Sequence, residues 1–105
     1  MTGNLTNWAS SALSRAVGLL RAEVVRAQLT PPAHPGASHV FDIDSERGIG
    51  QFIVWPDGST EATILNIATE APVYFEDAPV SDLTELDVRF RAFLDAFLEN
   101  EKPSS

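Results

Sequence analysis

Ile49-Gly50-Gln51-Phe52-Ile53-Val54-Trp55-Pro56-Asp57-Gly58-Ser59 is the stretch on which the fold turns. It is a strand running into a tight turn, and the turn residues set the register of the hairpin. Pro56 suits the first corner of a type I turn, and Gly58 suits the left-handed position that follows, giving a glycine bulge. Trp55 then lies opposite Ser59, Phe52 opposite Ala62 and Gly50 opposite Ile64. One face of the hairpin collects Phe52, Val54, Ala62 and Ile64. The other collects Gln51, Ile53, Trp55, Glu61 and Thr63. A two-residue turn at Asp57-Gly58 would slip the register and mix polar with apolar on both faces, so it is rejected.

Working outward, His39–Asp44 alternates, with Phe41 and Ile43 on one side and Asp42 and Asp44 on the other. A loop over Ser45–Gly48 places Phe41 beside Phe52 and Asp42 beside Gln51, in agreement with the same partition. Thr60–Ile67 is rich in β-branched residues, and Thr69-Glu70-Ala71-Pro72 turns into Val73-Tyr74-Phe75-Glu76. Residues 39–77 therefore read as a four-stranded antiparallel meander.

The flanks are helical in pattern. Over residues 5–29, Leu5, Trp8, Leu13, Ala16, Leu20, Val24 and Ala27 recur at three- to five-residue steps, which predicts a helix ended by Pro31-Pro32. On that helix Arg15 and Arg26 would share one face. Residues 30–38 are a proline-rich linker expected to carry this helix back across the sheet. A second helix is predicted over 82–100, with Asp82 and Glu85 at capping-box spacing and an apolar stripe of Leu83, Leu86, Phe90, Phe93, Leu94 and Phe97. Residues 101–105 are expected to form a fraying tail. The expected fold is α+β, a single domain with an N-terminal and a C-terminal helix packed on one face of a four-stranded meander.

The chain has 105 residues, 44% of them hydrophobic, and no cysteine. That length suits one two-layer core. The absence of thiols removes disulfides and thiolate chemistry, and fits a cytoplasmic location. No apolar run approaches the roughly 20 residues that span a bilayer, and the first residues lack the basic lead of a signal peptide. Charge is uneven. Residues 1–33 carry three arginines against one glutamate, whereas residues 34–105 carry four basic against fourteen acidic side chains, a net of −10. Such a surface repels nucleic acid and anionic membranes and speeds encounter with a basic partner. Six of the seven basic residues are arginine, a composition that suits a GC-rich bacterial gene.

Catalytic signatures are missing. Asp42-x-Asp44 is half of a divalent-cation site, but no loop supplies the remaining oxygen ligands. His34 and His39 lack metal-ligand spacing, no glycine-rich phosphate loop is present, and Ser10, Ser11 and Ser14 have no histidine or aspartate arranged beside them. The chain reads as a non-enzyme with no cofactor. Its candidate partner-binding residues are Asp42, Asp44, Gln51, Trp55 and Glu61 on the outer sheet face, with Glu76 at the rim. Trp55 is either the anchor of an interface or a cap on the edge of the core.

This order of elements resembles the TriTu family of bacterial polymorphic-toxin immunity proteins. The matching residues are Ile49–Trp55 followed by Asp57-Gly58, then Glu61, Ile64 and Leu65, then Val73–Glu76, and the helix from Leu83 to Leu98. The resemblance covers roughly residues 38–98, and the N-terminal helix agrees in kind. Pro56 and the long proline-rich linker depart from the pattern. What the resemblance implies is stoichiometric binding and neutralisation of a cognate toxin domain, expected to be basic, with a nuclease as one candidate and the toxin's activity left open. A small acidic secretion chaperone is the alternative, and it would present an apolar groove instead of a rigid acidic face. The family pattern supplies no rule for toxin-contacting residues, so none is carried over.

Overall fold

The computed structural model describes residues 2–20 and 24–102; of the expected tail, Glu101 is the last residue of the second helix, and residues 103–105 lie outside the described residues. Among them the chain forms, in order, α1 (Thr2–Leu20), β1 (Val24–Thr30), β2 (His39–Ser45), β3 (Gly48–Val54), β4 (Thr60–Asn66), β5 (Ala71–Asp77) and α2 (Leu83–Glu101). The strands make one antiparallel sheet in the order β1-β2-β3-β4-β5. The meander therefore has one strand more than the sequence predicts.

The added strand corrects the N-terminal boundary. The helix expected over 5–29 ends at Leu20, and residues 24–30 pair with β2, Leu29 opposite Phe41 and Ala27 opposite Ile43. The reason lies in a competing period. Ala27 and Leu29 are half-buried while Arg26, Gln28 and Thr30 are exposed, which is the two-residue alternation of a strand. Residues 31–38 consequently form a β1–β2 connection instead of a helix-to-sheet crossover. Within it Ala37 N–H donates to the His34 carbonyl at 3.0 Å. Arg15 and Arg26, predicted to share a helical face, lie on different elements.

The central register agrees with the sequence reading. Phe41 pairs with Phe52, Asp42 with Gln51, Phe52 with Ala62 and Gly50 with Ile64. At the turn, Gly58 N–H donates to the Trp55 carbonyl and Trp55 N–H to the Ser59 carbonyl, each at 3.0 Å. Gly58 sits at φ +96°, where a side chain would be strained. Asp57 Oδ1 accepts from Ser59 N–H at 2.8 Å and closes the loop. This bond holds the Asp57 carboxyl below its ordinary pKa.

Both helices pack on the face carrying Phe41, Ile43, Phe52, Val54, Ala62 and Ile64, all buried. From α1 come Leu5, Trp8 and Leu20 with the small, fully buried Ala9, Ala12 and Ala16, which let the helix lie close to its neighbours. From α2 come Leu86, Phe90, Phe93, Leu94 and Phe97. Trp8 meets Phe41 and Phe90 edge-on at 5.7 and 5.5 Å, a geometry worth about 0.5–1.5 kcal/mol beyond area burial. Of the two capping candidates that the sequence offers, Ser81 and Asp82, it is Asp82 that caps α2, accepting from Glu85 N–H at 2.8 Å. Gly50 is where α2 comes closest: a Cβ there would stand 2.9 Å from the Phe97 ring and 3.0 Å from that of Phe93.

Candidate partner-binding face

Because both helices cover one face of the sheet, the other is left open, with no described element packed on it. Strand pairing arranges its side chains in transverse rows. One row runs Thr30, Val40, Ile53, Glu61, Asp77. The next runs Gln28, Asp42, Gln51, Thr63, Phe75, and a third runs Arg26, Asp44, Ile49, Leu65. Among the described residues, four carboxylates (Asp42, Asp44, Glu61 and Asp77) thus share this surface with one guanidinium, that of Arg26. The acids form two clusters, one on β2 and one across β4 and β5. Ile49 and Ile53 lie between them.

Five of the six residues predicted from sequence fall on or beside this face. Asp42 is central and accepts from Gln51 Nε2 at 3.1 Å. Asp44 is bridged by Arg26 at 2.8 Å, so part of its charge is neutralised from the unforeseen strand. Glu61 stands opposite Asp77, a like-charged cross-strand pair that an incoming cation would relieve. Trp55 is half-buried at the end of β3, continuing the parity of Gln51 and Ile53.

Glu76 is placed differently. It pairs with the buried Ala62 and therefore lies on the helix side of the sheet. There it forms an ion pair with Arg89 of α2 and accepts from the Tyr74 hydroxyl at 2.8 Å. The Val73–Glu76 alternation is legible in sequence, but its parity is not. A register shift between Ile64 and Leu65 decides which set faces out. The outward set is Phe75 and Asp77. Phe75 is 63% exposed, and the sequence reading passed over both residues.

The helical side is electrostatically distinct. Asp87 of α2 accepts from Arg15 at 2.6 Å and from Trp8 Nε1 at 3.2 Å. The Arg15 hydrogen bond is the main reason that the Asp87 carboxyl is held below its ordinary pKa, and the same bond raises Arg15. His39 is buried against α1, its Nε2 3.4 Å from Thr6 Oγ1 and its Nδ1 without a partner among the described residues. Burial lowers its pKa. His34 and His39 line one groove with Leu5, Pro32 and Pro56. Among the described residues no three His, Cys, Asp or Glu side chains converge as metal ligands. No helix among them is long and apolar enough to cross a membrane.

A family model described as Immunity protein TriTu matches residues 3–96, from the first turn of α1 into the second half of α2. The chain belongs to the TriTu immunity-protein family. A search of curated proteins gives no match. Membership in TriTu assigns the chain to a class of proteins that neutralise toxins and are not generally enzymes. The match includes β1 and the proline-rich connection, so the departures noted in sequence fall inside the family's span.

Proposed function

We propose that this TriTu protein neutralises one cognate toxin domain by stoichiometric binding through the open sheet face. The observation that carries the reading is that face itself: among the described residues, a surface with no element packed on it and four carboxylates against one arginine, in a chain of a toxin-immunity family. Asp42 and Glu61, with Asp77, supply negative charge on either side of Ile49 and Ile53. Gln51 offers hydrogen bonds and Trp55 a large apolar contact at the end of β3. Asp44, already bridged by Arg26, contributes less. A face of this charge fits a basic toxin, including a nuclease whose site is built for phosphates, and acts by occupying that site in the bacterial cytoplasm. Steering by the acids favours fast, salt-sensitive association, while the apolar contacts slow dissociation.

The test is to look for a toxin domain encoded by a neighbouring gene, whose absence would count against the reading, and to co-express that domain with wild type or with a D42A, W55A, E61A triple variant. The folded triple variant should bind more weakly and fail to protect cells. Full protection with wild-type affinity would remove this face as the interface, and the absence of any bound toxin would remove the reading as a whole.

A further inference from the structure

The two edges of the sheet differ in chemistry. On β1 the outward residues are polar: Arg26, which is engaged by Asp44, then Gln28 and Thr30. On β5 two large apolar side chains are strongly exposed, Val73 at 51% and Phe75 at 63%, ahead of the outward Asp77. The β5 edge has β4 on one side and no described strand on the other, and Ala71–Asp77 contains no lysine or arginine to blunt it. Its inner side is fastened, because Glu76 is held by Arg89 and Tyr74. The strand is thus a pre-ordered template whose regular part runs from Tyr74 to Asp77, beyond Val73, which the register shift at Ile64/Leu65 leaves without a partner on β4.

We infer that the free edge of β5 receives an extended basic segment of the toxin as an added strand, anchored on Phe75. This rests on the toxin-binding reading and specifies how the partner is held. Main-chain hydrogen bonds along Tyr74–Asp77 supply the docking, and alternate side chains of the incoming strand supply selectivity. On the open face its apolar residues lie beside Val73 and Phe75, and a lysine or arginine lies beside the Glu61–Asp77 pair. Charge selects this occupant over a second copy of the chain. Another β5 would bring Glu76 and Asp77 again, with no cation on the strand, from a chain whose net charge is −8.

The experiment uses the full chain and, as probe, the purified toxin domain that the co-expression test identifies. Amide hydrogen exchange is followed with and without toxin, and affinity is measured for wild type and Phe75→Asp. The expected result is slowed exchange in residues 71–77 but not in 24–30. Phe75→Asp should weaken binding about 30-fold or more while its melting curve matches wild type, as for an interface anchor. A complex that forms with unchanged β5 exchange, and with Phe75→Asp binding as well as wild type, overturns the edge and leaves the open-face reading standing. Failure of the wild-type chain to bind the toxin overturns both. A concentration-dependent dimer of the chain alone that Phe75→Asp dissolves assigns the edge to a second copy and overturns the basic-segment proposal.

Discussion

The two faces of the sheet are built from the same strands and obey opposite rules. On the inner face Phe41, Ile43, Phe52, Val54 and Ile64 are almost completely buried under α1 and α2. On the outer face their immediate neighbours, Asp42, Asp44, Gln51 and Ile53, remain partly or fully exposed. Strand geometry alone separates them, because successive side chains point to opposite sides. Stability is therefore concentrated on one face, and the other is free to be shaped by a partner.

That contrast is broken most directly from within. Phe93→Ala removes a fully buried ring that packs against Phe52 and Phe90, and should destabilise the chain by about 3–5 kcal/mol in urea unfolding. A loss below 1 kcal/mol would mean that the helix layer does not carry the fold. Gly50→Ala acts in the opposite sense, pushing a methyl group into the Phe97 and Phe93 rings. Its expected cost is about 1–3 kcal/mol, seen as a lower urea midpoint. Asp82→Ala removes the N-cap of α2 and should cost about 1 kcal/mol.

A smaller, pH-dependent loss is expected from His39. Its folded-state pKa is depressed below 6.5 by burial, so the neutral ring contributes its full stability above that value. The contribution is lost as pH falls through the folded pKa, where a charged imidazole must be accommodated beneath α1. Urea midpoints of wild type and His39→Gln between pH 7.5 and 5 should converge as pH drops; parallel curves would remove His39 as the cause.

The outer face should behave differently. Asp42→Asn and Phe75→Ala should each change stability by less than about 0.5 kcal/mol, because neither side chain supports the core. Against the toxin, Asp42→Asn should slow association and flatten its salt dependence, as measured by stopped flow at several ionic strengths. A large stability loss in either variant would erase the division between the two faces.

Much of this division was legible before any coordinates. Pro56-Asp57-Gly58 specifies a bulged turn, and alternation on both sides of it then assigns Phe52 inward and Gln51 outward. The capping residues and Phe/Leu stripe of α2 were equally readable, since helix periodicity and cap chemistry are local. β1 was hidden because Leu20, Val24 and Ala27 also satisfy helical spacing. What separates strand from helix there is the chance to pair with β2, a contact distant in sequence. Arg26 moved with it, from a helical face to a bridge with Asp44.

β5 shows the other limit. Its alternation was visible, but the one-residue shift at Ile64/Leu65 set the parity, sending Glu76 to Arg89 and Phe75 to the open face. By itself the sequence determined the central hairpin register, the second helix and the acidic character of the open face. These depend on backbone preferences of single residues and on short periods. Tertiary structure alone decided which residues join the sheet at its edges and which way β5 faces. An edge strand takes its place from its neighbour's hydrogen bonds, and a bulge in that pairing inverts every side chain that follows it.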